Sequence, residues 1–364
     1  MGLLPQPALF GAFLLLLMSS EPLSQTGPSA ALWTIPAILL SSMMIAWAAE
    51  SAQFFVAQGF ALAMLAWLQT LPEFAAEAVL AWHREVPFLL AGLTGALRML
   101  TGLGWPMIYA TAAYMNRKRG NPPLRAIRLH GHQAVEVVGL LAPLLYFGVI
   151  AVKNSLSVWD AIPLMGIYSV YLWVLGKLPP EDPETIDDLE AIPRKIVLAP
   201  RGTRIFAIVG LFLLGGVLIQ QSTAPFVGSL FSLSMAVGIP TFVFMQWVMP
   251  LVSEFPEMAS TFYWAKTVDR APMALMNMVS SNINQWTMLP AMLPIVLSVS
   301  ARTVTPIVFD PQQKVELLMT IGQAAVGMMF LINMELAWWE ATALFVFFLI
   351  PYFMHSLAVP VTIG

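Results

Sequence analysis

The sequence predicts an all-α protein that crosses a membrane about ten times, as two inverted five-helix repeats with helices broken at the midplane. Three observations predict it. The 364 residues are 59% hydrophobic and 10% charged, with mean hydropathy +0.77. A soluble domain carries about 25% charged residues. One core cannot hide that much apolar side chain, so lipid must take up the rest. The apolar residues fall into runs separated by short charged clusters, five runs to each half. Finally, a Pro-Glu pair stands inside the apolar sequence of each half, at Pro72-Glu73 and at Pro256-Glu257.

Residues 8–18 are apolar but short of the roughly 20 residues a spanning helix needs. No Lys or Arg precedes them, so a secretory signal would lack its basic start. Residues 1–29 therefore read as a tail or an extra helix. The first repeat is expected over 30–176. Its first span runs from Ala30 to about Gln53, and a second run covers Ala57–Leu71, breaks at Pro72-Glu73 and continues as Phe74–Trp82. His83-Arg84-Glu85 marks a boundary. Pro87 to Tyr114 is long, punctuated by glycine, and carries one charge, Arg98. A basic stretch follows (Arg117, Lys118, Arg119, Arg125, Arg128), then Val135–Val152 and Val158–Leu175.

Residues 177–204 are acidic and proline-rich, and are expected to form a solvated loop between the halves. The second repeat, 205–364, follows the plan of the first. Ile205–Ile219 is a span, trailed by a Ser-, Gly- and Pro-bearing stretch to about Gly238. Pro240–Val252 breaks at Glu254-Phe255-Pro256-Glu257. Lys266, Asp269 and Arg270 mark the boundary, Pro272–Val299 is the long third span, and Val315–Ile332 and Ala341–Ser356 close the chain.

Composition also excludes. Without a basic tail or domain the chain lacks the footprint of a nucleic-acid binder. It has no cysteine, which removes disulfides, thiolate metal sites and cysteine nucleophiles. No phosphate loop and no nucleophile elbow is present, so neither an ATP-driven pump nor a hydrolase is supported. The four histidines all fall near expected interfaces, which argues against an intramembrane dimetal enzyme. Placing the Arg117–Arg128 loop in the cytoplasm puts the 177–204 loop and the Lys266–Arg270 boundary there too, with His83–Glu85 opposite. The two Pro-Glu segments then run in opposite senses, as inverted transporter repeats do.

A carboxylate in hydrocarbon costs several kcal/mol unless it meets a cavity, a partner or a cation. Proline removes a backbone donor, and carbonyls freed at a helix break can ligate a cation where they line a cavity. Pro-Glu thus offers carboxylate and carbonyl oxygen together, the ligands a hard cation takes. Thr70 and Ser253 add hydroxyls nearby.

Around these segments the chain resembles the calcium/cation antiporter superfamily, the sodium/calcium exchanger fold. The second signature of that family is similar to Ser253-Glu254-Phe255-Pro256-Glu257 followed by Asn277 to Asn284. The first is similar, more loosely, to Gln69-Thr70-Leu71-Pro72-Glu73 followed by Gly92 to Arg98. The resemblance implies ten helices and a central calcium site on the carboxylates of Glu73 and Glu257. It implies further ligands at Gln69, Thr70, Ser253 and Glu254, at Ser280 or Ser281, and at Asn284 or Gln285. It implies an antiporter in the plasma (inner) membrane, exchanging calcium against sodium or protons, with no cofactor beyond the transported ions and with lipid and inorganic cations as partners.

Three departures stand out. Glu254 adds a third carboxylate where the family has a hydroxyl. The first-half partner segment has Ala96, Leu97 and Leu100 in place of polar ligands, and it has Arg98. An arginine stays charged at any ordinary pH. Arg98 and Glu254 are therefore expected to be coupled, with Arg98 pairing a site carboxylate and standing where relatives hold sodium. The other placement puts Arg98 on a different face, tying two helices. A cation channel, or a transport-inactive structural or sensing protein of the same fold, are the alternatives to an antiporter.

Overall fold

A computed structural model describes residues 23, 26–55, 70–177, 186 and 189–358. The expected run Ala57–Leu71 lies outside them except for its last two residues. The apolar stretch 8–18, Gln69 and the acidic part of the linker at 178–185 also lie outside.

In chain order the helices are α1 (Ala31–Ala52), α2 (Leu71–Trp82) and α3 (Val86–Lys118), then α4 (Gly131–Lys153) and α5 (Ala161–Leu175). A short α6 (Ala191–Leu198) sits in the linker. The second half has α7 (Arg201–Val237), α8 (Thr241–Ser253), α9 (Phe255–Trp264), α10 (Ala271–Ala301), α11 (Pro311–Leu331) and α12 (Trp338–Ala358). Six of these segments are long and apolar enough to cross a membrane. The apolar α8 is shorter, and the single residue Glu254 separates it from α9.

Two elements differ from the sequence expectation. The span expected over Ile205–Ile219 is a single helix of 37 residues. Its polar residues do not interrupt it, because their hydroxyls bond back into their own helix: Ser222 to the Leu218 carbonyl, Thr223 to Ile219, Ser229 to Phe226, Ser234 to Phe231. The linker is not wholly loop. α6 buries Pro193, Ile196 and Val197, and Glu190 just before it accepts a 2.9 Å bond from Trp47 of α1.

Ends are set by local chemistry. α7 stops at Gly238 (φ +72), whose left-handed backbone favours glycine. Asp310 caps α11: its carboxylate accepts from the Gln313 amide at 2.8 Å, and the Gln313 side chain accepts from the Asp310 amide at 3.0 Å. Within α3 one π-turn, Leu100–Gly104, re-aims the helix.

Two short ribbons fix the relation of the halves. β1 (Ala126–Arg128), between α3 and α4, pairs antiparallel with β4 (Glu335–Ala337), between α11 and α12. β2 (Ser155–Leu156), between α4 and α5, pairs with β3 (Ile307–Val308), between α10 and α11. A parallel repeat would put the third-to-fourth connections of both halves on one face. Here each pairs instead with the other half's fourth-to-fifth connection, so equivalent loops lie on opposite faces and the repeat is inverted. The boundaries agree. Arg84, after α2, reaches the Ser300 carbonyl at the end of α10, while Val268 and Asp269, after α9, line a cleft with Arg125–Arg128. The packing is exchanged between halves as well. α5 of the first half lies along α10 of the second, and α11 and α12 lie along α3 of the first.

Candidate functional site

α2 and α9 begin alike. Each has proline at its second residue and glutamate at its third, so Glu73 and Glu257 sit in the first turns. A proline there costs no intrahelical bond, and the free N–H groups and dipole of a helix start favour negative charge. Pro256 lacks the N–H that would bond the Val252 carbonyl, which loosens the end of α8. Glu254 is the single residue between α8 and α9, and Thr70 flanks α2.

The halves bring these groups together. Glu73, Glu254 and Glu257 are 1%, 2% and 1% exposed. Glu254 lies in contact with both other carboxylates. Gln285 of α10 donates to Glu254 Oε1 at 2.9 Å, and Asn284 donates across the halves to Thr70 Oγ at 2.9 Å. Ser281 faces Glu257. None of the three carboxylates carries a salt bridge among the described residues.

Both oxygens of Glu73 and both of Glu257 are buried without a hydrogen-bond donor among the described residues. So are Ser281 Oγ, Asn284 Oδ1 and Gln285 Oε1. Carboxylate facing carboxylate offers no donor unless a proton lies between them. Buried polar groups are almost always satisfied, so a knot of orphaned oxygens calls for a cation or for protons. Carboxylate, hydroxyl and amide oxygen form the ligand set of a hard cation. No three His, Cys, Asp or Glu side chains among the described residues converge in metal-holding geometry.

Not every expected ligand is there. Ser280 points away from the carboxylates and shares a 2.8 Å bond with Tyr171 of α5. One residue on a helix is a turn of about 100°, so Ser281 faces the site and Ser280 does not. Ser253 is buried, but its hydroxyl leans back on the Pro250 carbonyl at 3.5 Å. Arg98 does not pair with Glu254. Its guanidinium meets Glu316 of α11 at 2.7 Å, so the expected coupling of Arg98 with Glu254 is corrected.

Two functional candidates, Glu316 and Gln246, escaped the sequence reading, and the structure places a third, Glu77, beside the site. Glu316 lies in a span read only as apolar. Gln246 of α8 bonds both Glu316 and Thr94. Glu77 is wholly buried one turn after Glu73, and its carboxylate fits because residue 92 is glycine: a Cβ there would stand 2.0 Å from Glu77 Oε1. The signal for Glu77 was its spacing of four from Glu73, which puts both on one helix face.

An inverted-repeat membrane protein in which a glutamate opens a short helix of each half has the architecture of a secondary transporter. The chain belongs to the sodium/calcium exchanger protein family, whose model matches it twice, over residues 29–177 and 207–355. Among solved structures it is similar to the H+/Ca2+ exchanger CAX. The TM-score is 0.82 at 28% identity, with 98% of this chain and 86% of that one covered. It is also similar to the sodium-calcium exchanger NCX_Mj soaked with Na+ and Sr2+. There the TM-score is 0.57 at 17% identity over 91% of this chain and 98% of that one, a likeness of fold. A comparison with curated proteins gives no match.

Proposed function

We propose that this protein exchanges calcium for protons across the membrane by alternating access at Glu73, Glu254 and Glu257. The observation that carries this reading is the orphaned set of carboxylate oxygens contributed by both halves. A divalent cation neutralises two of the three charges and gives the orphaned oxygens of Glu73 and Glu257 a partner. When the cation leaves, protons take its place, because three adjacent bare carboxylates in a site without a basic partner repel one another. Carboxylates can thus bind either traveller but not both in full, which is what exchange requires. Thr70, Ser281, Asn284 and Gln285 orient the carboxylates and add neutral oxygen. The likeness to the H+/Ca2+ exchanger at 28% identity supports protons over sodium as the counter-ion. The loops at 117–128 and 177–204 belong, in this reading, on the cytoplasmic face.

The test is flux in proteoliposomes under imposed proton or sodium gradients. An inward proton gradient is expected to drive calcium outward, and a sodium gradient is not. Glu257→Gln and Glu73→Gln keep the volume of the side chain and remove its charge. Each is expected to weaken calcium binding about 10–100-fold. Calcium flux that ignores every counter-ion gradient would indicate a channel, and no flux at all a transport-inactive protein.

A further inference from the structure

Arg98 sits 3% exposed on α3, and Glu316 2% exposed on α11. The Glu316 Oε2 that Arg98 Nη2 reaches at 2.7 Å also accepts from Gln246 Nε2 at 3.0 Å. Gln246 in turn donates to Thr94 Oγ at 3.2 Å. The approach of α8 that brings Gln246 here is permitted by Gly95, where a Cβ would stand 2.0 Å from the Gln246 carbonyl oxygen. The Gln246 amide of α8 thus joins the Thr94 hydroxyl of α3 to the same Glu316 carboxylate of α11 that Arg98 reaches.

That arrangement fits a guanidinium poorly. An arginine held by a carboxylate built for it is gripped through two parallel N–H bonds. Here contact is made through one nitrogen, and Nη1 is buried with no partner among the described residues. The guanidinium touches one carboxylate oxygen, the Thr94 hydroxyl lies one amide beyond it, and half of the planar fork is unserved. Gln246 stands eight residues before Glu254, about 12 Å along the same helical segment, so this pocket and the carboxylate site share α8.

We propose that Arg98 is a tethered cation filling a second, oxygen-lined cation pocket made by Glu316, Thr94 and Gln246, which closes that pocket to a travelling monovalent metal ion. The proposal rests on the exchanger reading for its consequence in transport, but the pocket itself is testable by binding. Removing Arg98 leaves a buried carboxylate that needs a new cation, and the amide of Gln246 can rotate to offer its oxygen.

The experiment compares the full-length protein with Arg98→Ala and with the double variant Arg98→Gln/Glu316→Gln. Melting midpoints are measured in detergent with sodium or lithium chloride against N-methyl-glucamine chloride at equal ionic strength. Arg98→Ala is expected to gain a sodium-dependent rise of about 2–4 °C beyond any shift of the unaltered protein. The double variant, which has no charge in the pocket, is expected to show none. In proteoliposomes Arg98→Ala is expected to acquire a sodium dependence of flux. Equal midpoints of Arg98→Ala in sodium and in glucamine overturn the proposal. So does an Arg98→Ala that fails to fold in every salt while the double variant folds. Failure of the exchanger reading would show separately, as absent flux in the unaltered protein, and would leave the melting comparison intact.

Discussion

At the scale of single residues, the Arg98–Glu316 pair shows how a buried charge is held and what breaking it does. Taking one partner away strands the other in the interior, at a cost of about 3–5 kcal/mol. Replacing both by apolar residues of similar volume is close to neutral. Glu316→Ala is therefore expected to lower the melting midpoint sharply, whereas Arg98→Met/Glu316→Met recovers most of the loss; a midpoint series in detergent checks this. Glu73, Glu254 and Glu257 were legible in the sequence, because a carboxylate inside an apolar run has to be accounted for. The partner of Arg98 was not. Glu316 lies 218 residues away, and a pattern of apolarity says how a helix is buried without saying which helix faces it. The choice between Ser280 and Ser281 was equally hidden, since it depends on the rotation of α10.

At the scale of elements, α3 and α8 pack in close approach. Gly95 is the contact point, and the atom it meets is backbone, which cannot swing aside. Gly95→Val is expected to push the helices apart and cost about 1–3 kcal/mol. Lowered melting together with weakened calcium affinity would report it, since Glu254 rides on the end of α8. The helix break at Glu254 was readable from Pro256. The length of α7 was not, because serine, threonine and Pro225 look like a loop until their hydroxyls are seen bonded to the preceding turn.

At the scale of the whole molecule, the β1–β4 and β2–β3 ribbons tie each half to the other on both faces. The inversion was legible from the basic loops alone, because Lys and Arg bias orients a span regardless of what it packs on. The exchange of α5, α11 and α12 between halves was not, since it follows from packing. The absence of cysteine makes a clean test of the inversion. Arg84→Cys and Asp269→Cys occupy equivalent boundaries in the two halves. In sealed vesicles of one orientation, an impermeant thiol reagent is expected to label one of them from outside and the other only after permeabilisation.

That interlocking has a consequence in time. The ribosome adds roughly 5–20 residues each second. Arg98 and Glu316 are 218 residues apart, so α3 leaves the ribosome about 10–40 s before the carboxylate that neutralises its arginine. Over that interval Arg98 carries the insertion cost of a charge at a helix centre, about 2.5–3.5 kcal/mol, set against the apolar length of its own 33-residue helix. The half made first is thus held in waiting, and only synthesis of α11 completes its core.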